Sequence, residues 1–130
     1  MHIQNVICSI ALLAFAGASN ANVAAVDPNN DSDCAVLYEF FHRVAEAKQL
    51  PADLREETLI MALWFETKWE QEHPGVNARQ GEHFNAMVKA MGEDPKAYRD
   101  ALLACSKRAN ADPLFDEFVK ALRGSAPPAP

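Results

Sequence analysis

Cysteine is scarce in this chain of 130 residues, with three in all, Cys8, Cys34 and Cys105, and no two stand in the C-x-x-C spacing of a dithiol redox site. Glycine is scarcer than average, with five residues scattered singly, so no glycine-rich loop cradles a phosphate. No stretch carries the local signature of a Ser/His/Asp hydrolase, and none alternates polar and apolar residues as a half-buried strand does. Positive charge is in short supply: 12 Lys and Arg face 18 Asp and Glu, a formal net charge of −6 that argues against nucleic acid or an anionic membrane as a partner. The apolar run over residues 6–17 is too short to span a bilayer.

That run reads instead as the core of an export signal. Cys8, Ala11, Leu12 and Phe15 are apolar on every side, and the small residues Ala18-Ser19-Asn20-Ala21 follow at once, which places cleavage after Ala21. The departure from the usual pattern is the lack of Lys or Arg before the run, where only the amino terminus and His2 supply positive charge. A buried N-terminal helix or an uncleaved anchor would need a polar stripe or a longer span, and neither Cys8 nor Cys34 sits in a lipoprotein acylation pattern. The expected product is periplasmic or secreted, with no membrane span after cleavage. In that oxidising setting the two remaining cysteines, Cys34 and Cys105, are expected to form a structural disulfide. The expected organisation is a signal peptide over 1–21, a flexible segment over 22–30, a single helical domain over 31–124, and a disordered Pro/Ala tail over 125–130.

The domain reads as all-α, about five short helices packed around a central apolar second helix. Residues 31–48 repeat Cys34, Leu37, Phe41, Val44 and Ala45 at helical spacing, until Leu50-Pro51 breaks the pattern. Residues 51–72 form the second helix, whose middle is seven consecutive apolar residues, Leu59 to Phe65. Two turns without a polar residue leave no face for water, so this segment is expected to be surrounded by the others. Asn77 with Gln80 three residues on suggests a capping box for a third helix ending at Gly92, with Phe84, Met87, Val88 and Met91 inward. Asp94-Pro95 and Asp112-Pro113 repeat one helix-start signal, a capping carboxylate followed by proline. They open a fourth helix with Tyr98, Leu102 and Cys105 inward and a fifth with Phe115, Phe118, Val119 and Leu122 inward.

Three sets of residues invite chemistry. The pairs Glu39/His42 and Glu70/His73 have the Glu-x-x-His spacing of di-metal helical bundles, and His83, Met87 and Met91 stand at i, i+4, i+8, a soft set that suits copper. The first two pairs read better as solvated faces and the third as core, so no metal or other cofactor is expected. Glu66, at the edge of the apolar run with Glu70 one turn on, has the position of a glycosidase acid whose pKa burial would raise, but the chain leaves no room for a substrate lobe, and the alternative is an exposed helix end whose carboxylates pair with Lys68 or Arg79. Trp69, set among Lys68, Glu70, Gln71 and Glu72, has the character of an interface anchor, or else packs on the Pro74-Gly75 turn. A groove between helices accepting a small apolar ligand is a further option. Charge is concentrated upstream, with twelve acidic against five basic residues from Asp27 to Val88. The best-fitting function is a small exported binding protein without catalysis, an inhibitor, immunity or accessory protein. Its partner is expected to be a protein with a basic surface meeting Glu66, Trp69, Glu70 and Glu72, with Glu39 and Glu46 as neighbours.

Overall fold

A computed structural model describes residues 26–124. The signal peptide expected over 1–21, the start of the segment that follows it and the Pro/Ala tail over 125–130 lie outside the described residues. Five α-helices follow one another without a strand among the described residues: α1 Asp31–Ala47, α2 Ala52–Glu72, α3 Gly81–Glu93, α4 Arg99–Ala111 and α5 Phe115–Gly124, with a 3₁₀ turn at Pro95–Tyr98 leading into α4.

α1 and α2 pair along their length and hold the centre together. α1 also meets α3 and α4, while α2 meets α4 and α5. The hinge between them is a Schellman closure. Leu50 N–H reaches back to the Ala45 carbonyl at 3.0 Å and Gln49 N–H to Glu46 at 3.1 Å, with Gln49 in the left-handed region at φ 51°. Asn30 caps the start of α1, its side chain accepting from the Asp33 N–H at 3.2 Å. Residues 26–30, the described part of the segment expected to lead flexibly into the domain, make defined bonds: Asp27 N–H donates to Asp33 at 2.9 Å, and Arg108 Nε on α4 donates to the Pro28 carbonyl at 2.7 Å.

The core is built from Leu37, Tyr38 and Phe41 of α1, Met61 and Phe65 of α2, Met87 and Met91 of α3, and Phe115 of α5, all essentially sealed from water. Tyr38 is the residue missing from the sequence stripe of α1. Its ring stacks on Phe65 with centroids 6.3 Å apart, and its hydroxyl donates to the Leu102 carbonyl of α4 at 2.7 Å, which satisfies the one polar atom it buries. Trp64 meets Phe115 and Phe118 edge-on at 5.3 and 5.2 Å, docking α5. Cys34 and Cys105 are bonded as a disulfide, Cα atoms 5.9 Å apart, joining α1 to α4 across 71 positions of sequence.

Four local expectations are corrected. The run Leu59–Phe65 does have a wet side: Leu59 is 41% exposed and Leu63 half-buried, because none of the described helices covers that flank of α2 where they lie. The third helix begins at Gly81 rather than after Asn77. The Asn77 side chain instead accepts from the Arg79 N–H at 2.8 Å, closing a turn, and Gly81 enters the helix at φ +94°, a backbone angle that L side chains rarely adopt. Asp94 supplies no side-chain cap and opens a 3₁₀ turn, whereas Asp112 does accept from the Leu114 N–H at 2.9 Å. In the inward stripe of α3, Val88 is exposed and Phe84 half-buried, leaving Met87 and Met91 to face the core.

Candidate functional site

The C-terminal end of α2 and the loop after it form a cleft. Glu66, Trp69 and Glu70 fall at i, i+3 and i+4, so the helix presents them on one face. The chain then reverses at Gly75, whose φ of 77° suits the left-handed region, and the loop runs back alongside the helix. Trp69 is held at both ends of its ring. His73 stacks on it with centroids 3.7 Å apart, and its Nε1–H donates to the Val76 carbonyl at 3.0 Å. The indole stays half-exposed beside Val76, itself 51% exposed. Both sequence readings of Trp69 therefore hold in part: it packs on the turn and still offers a face. Glu70 accepts a long bond, 3.4 Å, from the Gly75 N–H.

Arg79 closes the far wall. Its two terminal nitrogens reach the two oxygens of Glu66 at 3.2 and 3.0 Å, and its Nε donates to Glu39 on α1, whose other oxygen takes Arg43 at 2.8 Å. The Glu66 bond and then the Glu39 bond push the guanidinium pKa up against the opposing effect of burial, so Arg79 is a fixed positive charge pinning α1 to α2. The cleft between Trp69 and Arg79 has a volume of about 300 Å³ and is lined by Glu66, Glu70 and Val76 besides those two.

Of the residues that the sequence singles out, the structure gathers Glu66, Trp69 and Glu70 here, with Glu39 behind Arg79. Glu72 is exposed but does not line the cleft. Glu46 lies elsewhere, 3.8 Å from His42 and 3.7 Å from Arg55. The Glu66 carboxylate is half-exposed and both its oxygens are taken by a guanidinium, unlike the buried carboxyl group that the glycosidase reading requires. The Glu-x-x-His pairs are pulled apart: His42 Nδ1 lies 3.1 Å from the Thr58 hydroxyl and 3.0 Å from the Arg55 carbonyl while Glu39 faces Arg79, and His73 lies on Trp69. His83 contacts Asp33 at 2.9 Å, whereas Met87 and Met91 are core. Among the described residues no three His, Cys, Asp or Glu side chains stand close enough together to hold a metal ion.

Val76 escaped the sequence reading because it sits in a loop whose path depends on the turn at Gly75. Arg79 is expected there only as an ion-pair partner at the end of the second helix, and it does pair with Glu66. No described helix is long and apolar enough to cross a membrane. No protein-family model, curated protein or solved structure matches the chain.

Proposed function

We propose that this chain is a small exported helical protein that acts by binding another protein, in the periplasm or outside the cell, and that it carries out no catalysis. The contact is made by the cleft at the end of α2, with Trp69 and Val76 as apolar anchors and Glu66 and Glu70 as flanking charges, while Glu72 adds to the field around them. One observation carries this reading. The last turn of α2 holds Glu70 and Glu72 and no basic residue, so two carboxylates sit where the helix dipole is already negative. Each such placement opposes helix stability by about 0.3–1 kcal/mol, and a half-exposed tryptophan, Trp69, directly precedes them. The same placement recurs singly at Glu46 of α1 and Glu93 of α3, so what sets the end of α2 apart is a pair of carboxylates beside a half-exposed tryptophan, which a partner offering both positive charge and apolar surface would complement. Burial of the indole against that partner would provide the apolar contribution typical of an interface anchor.

The test is retention of a partner from an exported fraction of the source cells by the immobilised, disulfide-oxidised protein. The wild-type protein should retain a discrete species that the Trp69→Ala, Glu70→Lys double variant releases. Equal retention by the two proteins, or no retained species, overturns the reading.

A further inference from the structure

Beside the cleft, the flank of α2 left uncovered by the other helices forms a groove against α5. It has a volume of about 510 Å³ and is lined by Leu59, Ile60, Leu63 and Leu122, with Glu56 and Arg123 paired across one end at 3.0 Å. Along α2 the outward positions are Glu56, Leu59, Leu63, Glu66 and Glu70, separated by three, four, three and four residues. That alternation keeps them in one straight strip, the seam spacing that one helix presents to another. From Leu59 the strip rises about 10 Å to Glu66 and about 16 Å to Glu70, at 1.5 Å per residue. A second depression of about 400 Å³, lined by Leu63, Glu66, Thr67, Glu70 and Gln71, continues the groove towards the carboxylates.

We propose that this groove receives an amphipathic helix of the partner, one that lays two apolar side chains over Leu59 and Leu63 and carries Lys or Arg one and two turns further along to meet Glu66 and Glu70. Charge selects this occupant. A second copy of the chain docked through the same strip, antiparallel about residue 61, sets Leu59 opposite Leu63 and Glu56 opposite Glu66 at both ends; those carboxylates already hold Arg123 and Arg79, so the pairing gains no charge attraction and leaves the exposed Glu70 unmatched. A basic helix adds attraction at Glu70, and the net charge of −6 steers it in. The inference rests on the reading that the acidic end of α2 meets a protein, and it names the partner's chemistry. It uses a different apolar surface, so the two can fail separately.

The test takes two labelled 18-residue helical peptides with a leucine face and two lysines at the C-terminal or the N-terminal end of that face, and follows fluorescence anisotropy on titration with the disulfide-oxidised chain. At least one of them should bind saturably, and the same peptide with glutamates for the lysines should not. Leu63→Glu should weaken binding about tenfold and Glu70→Lys about fivefold, while Val88→Ala, exposed on α3 away from the groove, leaves it within about twofold. If Leu63→Glu fails to give the native circular dichroism spectrum, Leu59→Glu, at the more exposed position, takes its place. Absence of saturable binding by both lysine peptides, equal binding of the glutamate peptide, or an affinity indifferent to these leucine variants overturns the proposal. So does a concentration-dependent dimer in sedimentation that Leu59→Glu abolishes, which would assign the groove to a second copy. If peptide binding behaves as expected while Trp69→Ala, Glu70→Lys releases nothing in the pull-down, the groove stands and the cleft reading falls.

Discussion

A carboxylate on α2 carries a penalty that the fold, through the nearby Arg123, relieves only in part. Glu57 is half-buried, its Oε2 atom has no hydrogen-bond partner within the described structure, and its pKa is pushed up, first by burial and then by Asp53 one turn before it. The folded state therefore prefers the protonated form. Stability is lost as pH rises from the ordinary carboxylate range through the raised value, and the whole penalty is in force at neutral pH. Glu57→Gln should raise the melting temperature at pH 7 by about 1–4 °C, and the gain over wild type should vanish in acid, where both side chains are neutral. Thermal unfolding followed by circular dichroism at pH 7 and pH 3 measures both. Arg79 is the opposite case, a charge held by two carboxylates on two helices. Each of the three groups keeps some exposure to water, so Arg79→Met should cost only about 1 kcal/mol, or 4–8 °C. The deficit should shrink by about half between 0.05 and 1 M salt, because screened charges have less to lose. A deficit independent of salt would mean that the arginine stem, packed beside Phe40 and Phe84, matters more than its charge.

Elements end where backbone geometry forces them to, and two of those ends show what a sequence discloses. α1 closes on Gln49 at φ 51°, a position that a residue with a Cβ occupies at a cost of roughly 1 kcal/mol. Gln49→Gly should therefore stabilise the protein by about that amount, raising the melting temperature by about 4–8 °C, while Gln49→Ala gives no comparable gain. A fall in melting temperature with glycine would show that chain entropy in the unfolded state outweighs the relief. The proline at 51 announced that a helix stops here, but only the bonds from Leu50 and Gln49 show how. The same division runs through the chain. Periodicity located four of the five helices, because buried faces recur at 3.6 residues whatever their neighbours do; an unbroken apolar run marked the second, and the cysteine pair followed from the two cysteines outside the export signal. Capping depends on local angles that side-chain type specifies weakly: Asn77 closed a turn instead of a helix, and Asp94 and Asp112, alike in sequence, did different work. The site was half legible. Glu66, Trp69 and Glu70 share one face by spacing alone, yet Arg79 reaches them only through the path of the loop. The uncovered side of Leu59 and Leu63 depends on where α5 lies, and no window of α2 contains that information.

At the scale of the whole molecule, order rests on one long-range tie and on an arginine that reinforces it. The Cys34–Cys105 bond spans 71 positions and joins the first core helix to the fourth. Beside it Arg108 contacts Asp31 at 2.7 Å and the Pro28 carbonyl at 2.7 Å, and lies 4.9 Å from the centre of the Phe65 ring, so α4 is fixed to the start of α1 covalently and by charge. Closing a loop of this size removes unfolded-state freedom equivalent to about 4 kcal/mol. A domain of this class is stable by only about 5–15 kcal/mol in total, so the bond accounts for a large share. Urea unfolding of the oxidised chain and of the Cys34→Ala, Cys105→Ala variant should differ by about 4 kcal/mol when extrapolated to water, with a steeper denaturant dependence in the variant because its unfolded chain opens further. Since both cysteines are fully buried, the variant also leaves small voids, and Cys105→Ala alone, measured under reducing conditions against the reduced wild-type chain, separates that packing loss from the loss of the link. A difference below about 1 kcal/mol between the oxidised and fully reduced wild-type chains would show that the unfolded chain is already held compact without the bond, and that the helices carry the fold in any compartment.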